Sequence, residues 1–156
     1  MNKYCLTNNT IFHNNKTLYQ IKALLSFDNI KEGELGGYVE TELNLSQIDN
    51  SWVYCNAKVY GNAKVYGNAE VCGNAEVYGN AKVYGNAEVC NSAKVYGNAE
   101  VYDSALVCGN AEVYCNAEVY CNALVYGNAE VCGNTKVYGN AKVYGNAKIY
   151  SDIKLS

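Results

Sequence analysis

The sequence predicts an all-β fold: a parallel β-helix wound in triangular coils of three hexads each, behind an N-terminal capping segment. Three observations predict it. An aliphatic residue recurs at every sixth position, from Val53, Val59 and Val65 to Val143, then at Ile149 and Leu155. A small residue stands two positions before each, at Ala57, Ala63, Ala69 and onward, with Thr135 and Ile153 as the exceptions. Substitutions in the unit V-Y-G-N-A-K/E also recur three hexads apart: Cys72, Cys90 and Cys108 at the tyrosine position, Leu106 and Leu124 at the Lys/Glu position.

A strict period of six drifts out of phase with a helix of about 3.6 residues per turn. A short strand accommodates it, because Ala, Lys/Glu, Val alternates in, out, in. Gly-Asn supplies the bend, since both residues tolerate positive φ. Three such sides close a coil of eighteen residues, and equivalent residues of successive coils become ladder neighbours about 4.8 Å apart. Eighteen hexads from Val53 to Leu155 make six coils.

Residues 53–156 are therefore read as the β-helix, and residues 1–52 as its cap with an imperfect first coil. Val39, Leu43 and Leu45 already follow the repeat, and the eight-residue step from Leu45 to Val53 predicts a two-residue bulge. Segments near Leu6, near Leu18–Leu25 and at Tyr38–Val39 are expected to form strands or a helical turn over the end. Asn14-Asn15 reads as a turn. At the other end Ile153 and Leu155 are larger than the residues they replace and are expected to plug the last coil.

Composition agrees with a thin core. The chain has 16 Tyr but only 2 Phe and 1 Trp, too few large side chains for a conventional globule. Net charge is −3 with acids and lysines interspersed, which points to no polyanionic partner. All 12 basic residues are Lys, so the bidentate arginine contacts of nucleic-acid recognition are missing. No apolar run is long enough for a membrane span, and the start MNKYCLTNNT lacks the regions of a signal peptide. A cytoplasmic location is expected, with the 8 Cys as thiols.

The single histidine, His13, lies in the cap and reads as a surface residue. A general base must reach the proton it takes, and the solenoid contains no histidine, so a non-enzymatic protein without a cofactor is expected. Ladder side chains are not expected to converge on the four-ligand geometry of zinc, so no metal is expected. Cys115 and Cys121 read as simple replacements at the Gly position. Sorting the outward positions by coil gives three faces: one with Trp52, Glu70, Glu88, Leu106, Leu124 and Lys142, and two that read as solvated charge ladders of Lys and Glu. The first is the candidate interface: Trp52, Leu106 and Leu124, with Cys108 and Tyr126 beside them. A protein partner is expected, together with self-association through that face or through the end at Ile153 and Leu155.

An aliphatic residue followed four positions later by a small one resembles the hexapeptide-repeat family, which implies a left-handed β-helix. Tyr after the aliphatic residue departs from that family's usual choice. The stretch SFDNIKEGELGGYVETELNLSQIDNSWVYCNAKVYGNAKV, with Gly36, Gly37 and Tyr38 within it, resembles the N-terminal part of bacterial and phage-borne hexapeptide-repeat proteins labelled acyltransferases. With the repeats the resemblance spans about residues 18–150. It implies two alternatives. One is a phage-derived rod that occludes a host protein, including a defence nuclease. The other is an acyltransferase-like enzyme, whose histidine base and covering loop have no counterpart in this solenoid.

Overall fold

The computed structural model describes residues 2–156. Eighteen two-residue strands run from Trp52–Val53 to Lys154–Leu155. They assemble into three parallel sheets in which each strand pairs with the strand three hexads on, for example Lys94 with Glu112 and Val95 with Val113. The triangular coil of eighteen residues follows directly. With the imperfect first coil, the solenoid makes about seven turns.

Inside, the Val and Ala columns are excluded from solvent from Val53 to Val137, with Thr135 taking one Ala place. Thr135 is tolerated because its hydroxyl lies between two acceptors, the carbonyls of Cys132 at 2.6 Å and Ser151 at 2.5 Å. Coils are joined by backbone bonds in which the N–H of one coil meets a carbonyl of the next, such as Tyr78 N to Val95 O at 3.0 Å. Side chains repeat the same translation. Asn62, Asn80, Asn98, Asn116 and Asn134 are linked in one amide ladder at 3.0 Å per step. Tyrosines stack almost coplanar, as Tyr78 on Tyr96 with ring centres 4.8 Å apart.

The corners need positive φ. Glycine supplies it at most of them, but Cys55, Asn91, Asp103, Cys115 and Cys121 hold φ between 52° and 61° without glycine's freedom. A Cβ at these corners points at the backbone of the next coil, as a Cβ at Gly79 would lie 3.0 Å from Gly97 N. Cys115→Gly and Cys121→Gly are each expected to stabilise the rod by about 1 kcal/mol, seen as a higher urea midpoint with an unchanged slope. Gly79→Ala should lower it.

The cap consists of β1 (Tyr4–His13), β2 (Lys16–Ala23) and β3 (Leu35–Val39). β1 and β2 form an antiparallel hairpin whose turn is Asn14-Asn15, with φ of 47° and 60°. β3 runs antiparallel to β2 and parallel to Lys58–Val59, so it converts hairpin pairing into coil pairing. Val39 pairs with Val59 and Leu45 bridges to Val65, each two positions beyond a full coil, which places the two-residue bulge in the first coil. Leu43 departs from its expected place. It lies in a short 3-10 turn, Glu42–Asn44, and is 82% exposed. Asn44 turns inward instead, because its amide donates to the carbonyls of Gly61 and Ala63.

Polar groups finish this end. The Glu40 carboxylate accepts from Gly61 N at 2.7 Å and Asp49 from Gly67 N at 2.6 Å. The buried Lys3 ammonium donates to the carbonyls of Asp49 and Ser51. Such satisfaction prevents the first coil from acting as a free sheet edge.

Candidate functional site: the interrupted face and the open end

The pairing of the strands sorts the outward side chains onto three faces. On one sheet Lys58, Glu76, Lys94, Glu112, Glu130 and Lys148 follow one another, and on another Lys64, Lys82, Glu100, Glu118, Lys136 and Lys154. These are charge ladders, with Lys82–Glu100 at 2.9 Å and Lys136–Glu118 and Lys148–Glu130 at 2.8 Å. Tyrosines add to them. The hydroxyl of a corner Tyr reaches the Glu sixteen positions on: Tyr84 to Glu100 at 3.0 Å, Tyr96 to Glu112 at 2.9 Å, Tyr102 to Glu118 at 3.1 Å.

Burial, and then these carboxylates, push the hydroxyls of Tyr84, Tyr96 and Tyr102 above their ordinary pKa of 10. The folded rod therefore keeps protons that the unfolded chain releases once pH exceeds 10, and stability must fall as pH rises beyond that value. The urea midpoint should hold up to about pH 10 and drop as pH rises above it. Tyr84→Phe and Tyr102→Phe together should flatten the drop.

The third sheet breaks this pattern. Its outward residues are Trp52, Glu70, Glu88, Leu106, Leu124 and Lys142. Trp52 does not belong to the exposed face. It is fully buried, with Tyr4 and Phe27 packed edge-on against it at 6.1 Å and 5.4 Å. The cap folds over this position, which a repeat-based reading treats as outward, so Trp52 leaves the candidate interface. Leu106 and Leu124 remain, half-buried and directly paired. Cys108 and Tyr126 stand at the adjoining corner, and Tyr126 stacks on Tyr144.

The tyrosine-to-glutamate bond is what has been replaced here. Sixteen positions after Cys90 and Cys108 stand Leu106 and Leu124, so hydroxyl and carboxylate are lost together and the corner becomes apolar. Cys72 keeps a carboxylate partner, with Sγ 3.7 Å from Glu88 Oε1. Burial first, and then Glu88, raises the Cys72 thiol to about 11 and raises Cys90 as well. Cys132 occupies the same repeat position but falls on another corner, four hexads after Cys108, and is buried. All eight cysteines are free thiols.

At the C-terminal end Leu155 packs against the core but Ile153 stays 39% exposed. Tyr144 and Tyr150 are also exposed, so the end is not plugged. The last strands of the three sheets are Lys142–Val143, Lys148–Ile149 and Lys154–Leu155, each with lysine outward. Two copies meeting end to end would oppose lysine to lysine on every side, and edge lysines act against strand pairing.

His13 is less exposed than its place in the cap suggests. The hairpin turn reaches the side of the rod, where His13 Nε2 lies 3.1 Å from Glu76 Oε2 and its ring packs edge-on against Tyr60. The Tyr60 hydroxyl also donates to Glu76, so these groups satisfy one another. A cleft of about 500 Å3 lies between cap and rod, lined by Lys16, Glu40, Leu43, Asn44 and Lys64. Lys16 and Glu40 are paired within it at 2.7 Å. No helix among the described residues is long and apolar enough to cross a membrane. Comparison with protein-family models and with curated proteins finds no match to this chain.

Proposed function

We propose that this protein is a non-enzymatic binding solenoid whose contact surface is the sheet of Leu106 and Leu124, and that it acts by covering a protein partner. One observation carries the reading. This sheet alone interrupts its charged ladder with a paired apolar strip, and the flanking corner has exchanged its tyrosine–carboxylate bonds for thiols. Such a strip loses water on contact without stranding a charge.

The face is also complementary to itself. Along the rod it runs acidic at Glu70 and Glu88, apolar at Leu106 and Leu124, basic at Lys142. Two copies related by a two-fold axis through the Leu strip would set Leu106 on Leu124, and Glu88 on Lys142, twice over. The overlap runs over four strands, from Glu88 to Lys142, about 19 Å by roughly 18 Å, which is the size of a weak, transient contact. A reversible dimer follows, which a host partner with a similar apolar strip would displace. A phage-borne inhibitor that occludes a host defence protein fits this mode of action.

Leu106→Lys with Leu124→Lys is expected to make the protein monomeric by light scattering and to lose the proteins that the wild type retains from host lysate. Glu88→Lys should also give monomers, and adding Lys142→Glu should restore the dimer. Unchanged mass and unchanged retention in the leucine variant would remove the proposal. Micromolar binding of acetyl-coenzyme A would favour the acyltransferase-like alternative.

A further inference from the structure

The same sheet ends in a corner with an unusual donor set. Cys72 and Cys90 stand one coil apart with Glu88 between them, and their sulfur and oxygen atoms all lie within 4.8 Å of one another. The convergence that a ladder is expected to prevent arises because the carboxylate comes from the neighbouring strand rather than from the thiol column. The electrostatics are equally distinct. Glu76, Glu100, Glu112, Glu118 and Glu130 each meet a lysine or His13 within 4.0 Å, whereas Glu70 and Glu88 meet no cation among the described residues. The corner thus combines two thiols and an oxygen donor with negative charge that no lysine of the same chain balances within 4.0 Å.

We propose that Cys72, Cys90 and Glu88 bind a soft d10 metal cation, with the two sulfurs as principal ligands and the carboxylate as the third. Two metal–sulfur bonds of about 2.3 Å, bent to the angle that a third ligand demands, set the sulfurs about 4 Å apart. Side-chain rotation that closes the gap by at most about an ångström therefore brings both sulfurs onto one ion, while the coil ladder holds their backbones in place. Thiolate donors select copper(I) and zinc over magnesium or calcium. On binding, each thiol gives its proton to solvent and forms one sulfur–metal bond, so a divalent ion displaces two protons without any redox change. Cys108 offers a further sulfur beyond Cys90, but its neighbours are Leu106 and Leu124, so the ion belongs at the carboxylate-bearing pair.

The test uses full-length protein carrying Cys5→Ser and Cys108→Ser together with Cys55→Gly, Cys115→Gly and Cys121→Gly, which leaves Cys72, Cys90 and the buried Cys132 as the thiols of the chain. Cadmium(II) should produce a sulfur-to-metal charge-transfer band that saturates at one ion per chain. Zinc(II) against a chromophoric chelator and copper(I) without oxygen identify which cation is held tighter, and tight binding of either supports the site. Cys72→Ser with Cys90→Ser should abolish the band and weaken binding at least about 100-fold, and Glu88→Gln about tenfold. Cys72→Tyr with Cys90→Tyr, which restores the tyrosine column, guards against loss through misfolding and should also abolish the band. The thiol variants leave Glu88 charged, so they separate this site from dimer formation. No band, a band that survives loss of both thiols, or equally tight calcium binding would overturn the proposal.

Discussion

Trp52→Ala is expected to destabilise the protein by about 3–5 kcal/mol, the range for removing a large buried aromatic side chain. Trp52 is the largest fully buried residue, and Tyr4 and Phe27 close over it from the cap. No repeat residue stands in the same position, because each core Val is one of a long column and its neighbours are Val and Ala. At roughly 2–4 °C per kcal/mol for a chain of this size, the midpoint should fall by about 10 °C. A solenoid couples each coil chiefly to its neighbours. The loss should therefore appear first as faster amide exchange at residues 52–65, with residues 95–125 protected until the rod melts. Trp52→Phe should cost much less, because the indole Nε1 is buried without a hydrogen-bond partner and the smaller ring removes that unsatisfied donor. Equal losses for the two variants would mean that ring packing is not what binds cap to rod.

Gly37→Ala is expected to cost about 3 kcal/mol, at the upper end of overpacking. A Cβ at Gly37 would lie 2.5 Å from the carbonyl oxygen of Ala57 and 2.8 Å from Val53 Cγ1. A Cβ at Gly36 would lie 2.6 Å from Val53 O and from Ile21 Cγ1. Both obstacles include backbone, which cannot rotate aside. Neither glycine has positive φ, so this pair is required for close approach rather than for a turn. It explains why the Gly36-Gly37-Tyr38 motif sits where hairpin pairing gives way to coil pairing. Proteolysis should release the hairpin from the Gly37→Ala variant while leaving the wild type intact. An undisturbed cap would refute this account of the motif.

What can be read without coordinates follows from translation. A residue inside the rod sees the same surroundings as its equivalents one coil before and one coil after, so a strict period reports environment directly. That is why Val77, Ala75 and the Cys72–Cys90–Cys108 column are legible in the sequence. The same logic misplaces Trp52 and Leu43, because periodicity assigns a face but cannot know that another segment lies over it. His13 escapes it for a related reason: its partner, Glu76, is far away in the chain and joined to it only by the hairpin's reach. The pairing of Glu88 with two thiols is also hidden from a face-by-face reading, although the sixteen-position offset between tyrosine and glutamate recurs along the rod and signals it.

The amino-acid order by itself determined the coil: apolar positions six apart, small residues four after them, and glycine at the bends leave a short-stranded triangle as the regular way to bury the valines. The tertiary structure decided how that triangle ends. Capping depends on contacts between distant residues that occur once, such as Lys3 with Ser51 or Tyr4 with Leu45, and a contact made once leaves no period to read.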